Sequence, residues 1–212
     1  YCKIMKLQLA FDLGSFQDLI LLLEQVEDLI DIIEIGTPLI VKEGVKEIEN
    51  IKKTFPKKTI LADMKIMDAG ELEAKIGFDV GADIVTCLGL ASSTTIAGAK
   101  KVASRNNGKI MVDMINHYNP ISKWPELLEM GIDYGCLHTA HDDAVTGDNS
   151  IEILEQFYKI YGGNNLAVAG GVKPDLIQGM SHFQPEIVVV GSYITDSAQP
   201  REAVENVRKV MN

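Results

Sequence analysis

Cysteine and tryptophan are scarce in this chain of 212 residues, and basic residues are fewer than acidic ones. The three cysteines, Cys2, Cys87 and Cys136, are widely spaced, and no CxxC or Cys/His pattern indicates a zinc site. We therefore expect buried, reduced thiols. Lysine and arginine number 20 against 30 acids, so the formal net charge is -10. This balance argues against binding to nucleic acid or to an anionic membrane, because both need a basic face.

Long apolar runs are also missing. No run reaches the roughly 18 residues that a membrane span needs, and the N-terminal sequence YCKIMKLQLAFDL lacks the layout of a signal peptide. These absences predict a cytoplasmic protein without a membrane partner. The sequence has no low-complexity tract or linker either, so we expect one domain over residues 1–212, with 1–4 as an irregular start.

Short apolar runs rich in β-branched residues recur at an average spacing of about 26 residues. There are eight of them, at 6–12, 31–36, 59–65, 83–89, 109–115, 133–138, 166–171 and 186–192. Segments with helical periodicity lie between them, among them 16–29 and 42–55. Eight alternating units in this length predict a parallel (β/α)8 TIM barrel. The alternative is an open doubly wound sheet, whose GxGxxG first turn is absent here.

Acidic side chains interrupt four of the predicted strands. Asp12, Glu34, Asp63 and Asp113 lie within or at the ends of strands 1, 2, 3 and 5, and His138 ends strand 6. A buried carboxylate is costly unless it is paired, and one such acid is more often a structural polar group. Four of them at the carboxyl ends of barrel strands would meet around one mouth. Barrel enzymes place their active sites there.

Clustered carboxylates need a positive charge nearby. Lys65 lies two residues after Asp63, on the same strand face, and is one candidate. A divalent cation is the other, and oxygen ligands without cysteine favour Mg²⁺ or Mn²⁺ over zinc. A lysine between carboxylates stays protonated. That state favours an electrostatic or general-acid lysine over a Schiff base, which needs the neutral amine.

Two glycine-containing turns follow strands 7 and 8. Gly170 and Gly171 precede a predicted helix start, and Ser192 follows Gly191. Glycines let backbone N–H groups approach an anion, and in many barrels the loops after strands 7 and 8 bind phosphate. Either turn alone is more often only a turn, but the pair predicts a phosphate site. The polar loop at 138–150 is a further predicted active-site element.

Asp63, Lys65 and Asp68 form an Asp-x-Lys-x-x-Asp motif, and the chain resembles the orotidine-5'-phosphate decarboxylase superfamily, which carries that motif on strand 3. Five segments are most similar to the 3-hexulose-6-phosphate synthase family within it: DIIEIGTPLI, ADMKIMDAGELEA, GADIVT, VDMI and VAGGVK. A sibling family, the 3-keto-L-gulonate-6-phosphate decarboxylases, shares the motif and the strand-2 glutamate, here Glu34.

Four positions help to separate the two families. The decarboxylases typically have Glu, Arg, Thr and Arg, where this chain has Asp113, His141, Ala169 and Tyr193. These residues favour similarity to the synthases. The strand-6 loop departs from the synthase pattern His-x-Gly-x-Asp-x-Gln, because Ala140 and Ala144 replace its glycine and glutamine.

The resemblance implies a metal-dependent aldol condensation of formaldehyde with D-ribulose 5-phosphate to 3-hexulose 6-phosphate, and its reverse, through an enediolate. It implies Mg²⁺, with Mn²⁺ as a substitute, on Glu34 and Asp63. The remaining roles are Lys65 at the enediolate oxygen, His138 in proton transfer, Asp12 and Asp113 as orienting groups, and Gly170, Gly171, Gly191 and Ser192 at the phosphate.

The resemblance also implies a homodimer with its sites at the interface, where Asp68 reaches the neighbour's site. Two other functions stay open. One is decarboxylation of a sugar-acid phosphate such as 3-keto-L-gulonate 6-phosphate through the same enediolate. The other is a non-catalytic barrel that binds a phosphosugar, which the retained Glu34, Asp63 and Lys65 count against.

Overall fold

The computed structural model describes residues 5–140 and 149–211. They form a closed barrel of parallel strands, ordered β1 to β8, with β8 paired to β1. The predicted (β/α)8 barrel is therefore confirmed. The strands are β1 (Lys6–Phe11), β2 (Ile32–Ile35), β3 (Thr59–Ile66), β4 (Ile84–Leu88), β5 (Lys109–Asp113), β6 (Tyr134–His138), β7 (Leu166–Ala169) and β8 (Ile187–Val190).

Helices connect the strands and surround the barrel. They are α1 (Phe16–Val26), α2 (Thr37–Glu43), α3 (Glu47–Thr54), α4 (Gly70–Asp79), α5 (Ser93–Arg105), α6 (Pro120–Glu129), α7 (Asn149–Tyr161), α8 (Pro174–Met180), α9 (Ser192–Thr195) and α10 (Pro200–Met211). Within the described part of the chain, no helix combines the length and the apolar character needed to cross a membrane.

The strands separate two apolar layers. The larger layer lies between the strands and the helices and includes Trp124 and Phe157. The smaller layer fills the barrel interior, with Leu61, Met111 and Ile187 among its members. Successive side chains of a strand point to opposite faces, so every second residue faces the interior. At the carboxyl end of the barrel, polar side chains replace apolar ones in the inward positions, and this change creates the site.

The amino-terminal end of the barrel carries a repeated polar contact, which we call the acid clasp. One acid lies directly before each even-numbered strand. Its carboxylate accepts a hydrogen bond from a backbone N–H of the preceding odd-numbered strand, or of the residue next to that strand. The donors and acceptors are Leu7 to Asp31 (2.8 Å), Ile60 to Asp83 (2.8 Å), Ile110 to Asp133 (2.9 Å) and Asn165 to Glu186 (3.1 Å). Each acid also pairs with a cation, in turn Arg208, Lys52, Lys100 and Lys6. The clasps tie the strands together in pairs.

The segment 42–55, predicted as one helix, is two, and that prediction was wrong. α2 ends at Glu43 and α3 begins at Glu47. Gly44 lies between them with φ of +81°, a backbone conformation that commonly terminates helices. The predicted apolar face is otherwise present, because Ile48 and Ile51 are fully buried.

Gly70 begins α4 where this helix packs on α5. A Cβ atom added at Gly70 would lie 1.9 Å from the backbone carbonyl oxygen of Thr95. We expect Gly70→Ala to force the two helices apart and to lower the free energy of unfolding by about 1–3 kcal/mol or more. Gly179→Ala is the matched control, because a Cβ there meets nothing within 4 Å. It should stabilise the protein by up to about 1 kcal/mol, since alanine is the better helix former. Equal urea midpoints for the two variants would contradict this prediction.

Candidate active site

A cavity of about 470 Å³ opens at the carboxyl end of the barrel. Residues from or just after all eight strands meet there. The predicted site residues that line it are Asp12, Glu34, Asp63, Lys65, Asp113, His138, Gly170, Gly171, Gly191 and Ser192. Asp68 is absent from the described lining, although it belongs to the same sequence motif.

Lys65 lies between two buried carboxylates. Its Nζ donates to Oδ2 of Asp63 at 2.7 Å and to Oδ2 of Asp113 at 2.9 Å. The two acidic side chains are 7% and 5% exposed. Burial alone would lower the pKa of Lys65, but the charges of both carboxylates raise that pKa above its ordinary value. The group is therefore an ammonium, which suits charge stabilisation and disfavours a Schiff base.

Asp113 also holds His138. Nδ1 of His138 lies 2.8 Å from Oδ2 and 3.0 Å from Oδ1 of Asp113, and the backbone N–H of Ile115 donates to Oδ1 at 2.9 Å. Burial opposes ionisation of Asp113, but its hydrogen bond and charge interaction with His138, together with Lys65, lower its pKa to about 2. Because a carboxylate only accepts, Nδ1 carries a proton, and in the tautomer that this contact selects Nε2 is the nitrogen able to accept one.

Among the acids of the described cavity lining, Glu34 has the environment that most strongly favours the neutral form. It is 8% exposed and accepts a hydrogen bond from Nε2 of Gln8 at 2.5 Å. Burial first, and then the charge of Asp63, raise its pKa from 4.5 to about 8. A cation placed beside Glu34 would relieve both effects.

The donor set fits a magnesium ion that is only partly coordinated by protein. Five carboxylates line the cavity, those of Asp12, Glu34, Asp63, Asp113 and Asp196, with Lys65 and His138 as the basic side chains in the described lining. Across residues 5–140 and 149–211, no three His, Cys, Asp or Glu side chains converge as a ready metal cage. Mg²⁺ commonly takes one or two carboxylates and keeps water or substrate oxygens as its other ligands. The buried side-chain oxygen Oε1 of Gln8 has no hydrogen-bond partner. It can therefore accept a hydrogen bond from such a water.

Asp12 directly follows β1 and is exposed at the mouth. Its carboxylate occupies the space beside Gly36, because a Cβ at Gly36 would lie 2.1 Å from Oδ1 of Asp12. The same carboxylate approaches the turn after β8, with Oδ2 4.0 Å from the Cβ position of Gly191. Glycine at 36 therefore lets Asp12 lie over the mouth, between the turns that follow β2 and β8.

The glycine turns after β7 and β8 lie side by side at the rim. Gly170 and Gly171 have φ of +92° and +64°. A Cβ at Gly170 would meet the carbonyl oxygen of Thr139 at 2.1 Å, so only glycine allows this turn to pack on the end of β6. The described lining contributed by β7, β8 and their turns contains no lysine or arginine. A phosphate bound there would rely on backbone N–H groups and the hydroxyl of Ser192.

The polar site residues missed from the sequence include Gln8, Thr37 and Thr86, and also Asp196 in the lining. Thr37 donates to Oδ2 of Asp63 at 2.9 Å. Thr86 donates to Oδ1 of Asp63 at 2.7 Å and accepts the backbone N–H of Lys65 at 2.9 Å. Gln8 and Thr86 interrupt apolar strands just as the acids do, so the same rule would have found them. Thr37 starts a helix and carries no such signal.

Asp68 stands apart from the site of its own chain. It is exposed, and its Oδ1 accepts the backbone N–H of Ala69 at 2.7 Å before α4. A role in a partner's site stays a prediction. Most of the loop predicted at 138–150 lies outside the described residues, His141 and Ala144 included.

The chain matches a known protein family over most of its length. Residues 5–207 match the family described as Orotidine 5'-phosphate decarboxylase / HUMPS. The chain is 39% identical to 3-hexulose-6-phosphate synthase of Bacillus subtilis (strain 168) over 207 residues, which is 98% of this chain and 99% of that protein.

Solved structures give the same picture. The crystal structure of 3-hexulose-6-phosphate synthase from Salmonella typhimurium superposes with a TM-score of 0.93 at 36% identity, covering 98% of each chain. The crystal structure of a ligand complex of KGPDC from Streptococcus mutans has a TM-score of 0.90 at 25% identity, covering 98% of this chain and 97% of that one.

Proposed function

This chain belongs to the orotidine 5'-phosphate decarboxylase / HUMPS family and is an aldehyde-lyase similar to 3-hexulose-6-phosphate synthase, and from that premise we propose that it condenses formaldehyde with D-ribulose 5-phosphate. The product is 3-hexulose 6-phosphate, and the reaction also runs in reverse. The observation that carries this proposal is the Lys65 ammonium held between Asp63 and Asp113 in the barrel mouth. A fixed positive charge in a partly buried site stabilises an enediolate, which is the intermediate this reaction needs.

His138 moves the proton. Nε2 removes a proton from C1 of the ketose phosphate, and Asp113 on Nδ1 keeps the imidazole in the tautomer that can accept it. The resulting enediolate attacks the carbon of formaldehyde, and a C–C bond forms. The former formaldehyde oxygen then takes the proton from His138 as an alcohol. Lys65 donates a hydrogen bond to the enediolate oxygen throughout.

Glu34 and Asp63 would hold Mg²⁺, which supplies further stabilisation of the developing negative charge when bound. Gln8 keeps Glu34 oriented through its Nε2. The turns at Gly170, Gly171, Gly191 and Ser192 would bind the substrate phosphate at the opposite rim, and this contact fixes the position of C1 relative to His138.

A paired assay tests the proposal. With Mg²⁺, one arm supplies ribulose 5-phosphate and formaldehyde and follows formaldehyde loss. The other arm supplies 3-keto-L-gulonate 6-phosphate and follows CO₂ release. Activity in the first arm that greatly exceeds the second is the expected result. Turnover in neither arm would reject both enzymatic functions and leave a phosphosugar-binding barrel.

The second candidate function is decarboxylation of a sugar-acid phosphate, because the chain shares its fold with KGPDC at 25% identity. Two described residues argue against this function. Ala169 lines the cavity where the decarboxylases carry threonine, and Tyr193, where they carry arginine, packs against the apolar core and does not line the cavity. In the described lining, the phosphate side of the mouth thus lacks the guanidinium group that those enzymes place there.

We also propose that the protein is a homodimer with its sites at the interface. Exposed apolar side chains lie in the segments that follow β1 to β5: Leu13, Val41, Met67, Leu72, Leu90 and Tyr118. Such a concentration of apolar side chains is typical of a protein–protein interface. Met67 is next to Asp68 in the chain, so a partner docked on this surface would lie within reach of Asp68.

Mixed dimers test the placement of Asp68. Lys65→Ala and Asp68→Ala should each be inactive alone. Co-expressed with different tags, they should regain about a quarter of wild-type activity, because half of the randomly paired dimers carry one complete site. The control pair is Lys65→Ala with His138→Ala, both in the site of one chain, which should give no recovery. Absence of recovery in the first pair would place Asp68 outside the partner's site.

A further inference from the structure

β3 and β4 lose their register beside the site. Ala62 pairs with Val85 and Ile66 with Cys87, so the three β3 residues 63–65 face the single β4 residue Thr86. Lys65 adopts φ of +46° in this bulge, a conformation that residues with a Cβ rarely adopt. Bulges of this kind re-aim side chains next to active sites. Something must hold the bulge, since regular strand pairing does not.

The hydroxyl of Thr86 replaces the missing strand contact. Its Oγ1 accepts the backbone N–H of Lys65 at 2.9 Å. Because that N–H can only donate, the hydroxyl proton is free to go to Oδ1 of Asp63, 2.7 Å away. The other oxygen of Asp63 accepts from Nζ of Lys65 at 2.7 Å. One hydroxyl group therefore fixes the backbone of Lys65 and also the carboxylate that binds the end of its side chain.

Burial makes this contact hard to replace. Thr86 is 3% exposed and Asp63 is 5% exposed, so water has little access to groups that lose a partner. A buried N–H or carboxylate oxygen left unpaired costs more than an exposed one. Without the hydroxyl, the bulge would relax toward a conformation that satisfies the Lys65 N–H elsewhere, and the ammonium would move with it.

We propose that Thr86 is a positioning residue: it stabilises the bulge in β3 and so orients the side chain of Lys65. The inference rests on the proposed function, because the effect of Thr86 on catalysis is measured as kcat of the aldol reaction. Thr86 lines the cavity, but its hydroxyl proton is committed to Asp63, so it acts through Lys65 and Asp63. Phosphate binding lies on the opposite rim, at the turns after β7 and β8, and does not depend on this contact.

Thr86→Val and Thr86→Ser test the proposal as a matched pair, because valine keeps the shape without the hydroxyl and serine keeps the hydroxyl. For Thr86→Val we expect kcat to fall by about 10- to 100-fold, the factor that corresponds to losing a buried hydrogen bond. KM for ribulose 5-phosphate should stay close to the wild-type value. Thr86→Ser should retain most of kcat.

Amide hydrogen exchange at Lys65, followed by NMR, gives a readout that does not depend on turnover. The Lys65 N–H should be protected in the wild type and in Thr86→Ser, and should exchange faster in Thr86→Val. If the valine variant does not fold, Thr86→Ala replaces it.

The proposal would be overturned by unchanged kcat in Thr86→Val, by a loss confined to KM, or by a Lys65 amide that stays protected without the hydroxyl. A serine variant as impaired as valine would also overturn it. If the wild type shows no aldol activity, the proposed function fails by itself. The exchange experiment then still decides whether Thr86 holds Lys65.

Discussion

Lys65→Ala should lower the aldol activity by about 10³-fold or more, because removal of a single preorganised donor to a developing oxyanion already costs 10²- to 10³-fold. Here the variant loses a positive charge as well as a donor. The same change leaves Asp63 and Asp113 facing each other without a counter-charge. We therefore expect a lower melting temperature but a cooperative transition and an unchanged far-UV circular dichroism spectrum, with kcat measured at saturating ribulose 5-phosphate.

Lys100→Ala is the control for that experiment. Lys100 also pairs with an aspartate, at 2.7 Å from Asp133, and its side chain is 20% exposed against 24% for Lys65. It belongs to an acid clasp at the other end of the barrel, so its loss should cost stability and spare kcat. A Lys65→Ala variant that retained most of the activity would remove Lys65 from the mechanism.

Glu34→Gln should have opposite effects on activity and on the stability of the metal-free protein. Activity should be nearly abolished, because glutamine is a poor ligand for Mg²⁺. The free energy of unfolding at pH 9 should rise, by an amount on the order of a few kcal/mol. The reason is that the variant has no ionised carboxylate to bury at this position. Glutamine can still accept the hydrogen bond from Gln8. Urea denaturation at pH 5 and pH 9, without metal, measures the difference.

The direction follows from the pKa of Glu34, which is raised from 4.5 to about 8. In the wild type the stability contributed by this group is fully present below about pH 4.5. It falls as the pH rises and is lost once the pH passes about 8. Glutamine does not titrate, so the two proteins should diverge over this range. A pH-independent difference between them would contradict the assignment.

Glu186→Gln is the matched control, because Glu186 and Glu34 are both 8% exposed. Glu186 lies at the amino-terminal end of the barrel and pairs with Lys6. Added Mg²⁺ should raise the melting temperature of the wild type and of Glu186→Gln, as any ligand of the folded state does. It should leave Glu34→Gln unchanged. A wild-type shift that persisted in Glu34→Gln would move the metal elsewhere.

The barrel was predictable because its signal is repeated. Eight apolar runs with helical segments between them leave few architectures, and errors at single boundaries do not change the count. β1, for example, ends at Phe11 and not at residue 12. The acids were found for a similar reason, since a charge inside an apolar run stands out. The break at Gly44 was overlooked because an isolated glycine is tolerated within a helical pattern.

The bulge at Lys65 could not be predicted from the sequence. Strict alternation already places Asp63 and Lys65 on one strand face, so nothing in the pattern required a change of register. Lysine has no preference for a left-handed conformation. The bulge depends on Thr86, which lies 21 residues further along the chain. The roles assigned to the site residues, including that of Asp68, stay predictions for the same reason, since they depend on a substrate and a partner.

The acid clasps bear on the order in which the molecule folds. Each clasp joins residues only 21 to 24 positions apart in the chain, so it closes a short loop within one strand–helix–strand unit. The contact between Lys65 and Asp113 spans 48 positions and needs two such units in place. Short-range contacts form early in folding. We therefore expect the amides of Leu7, Ile60 and Ile110 to become protected first in a pulse-labelling experiment. The catalytic mouth would then be the last part of the barrel to assemble.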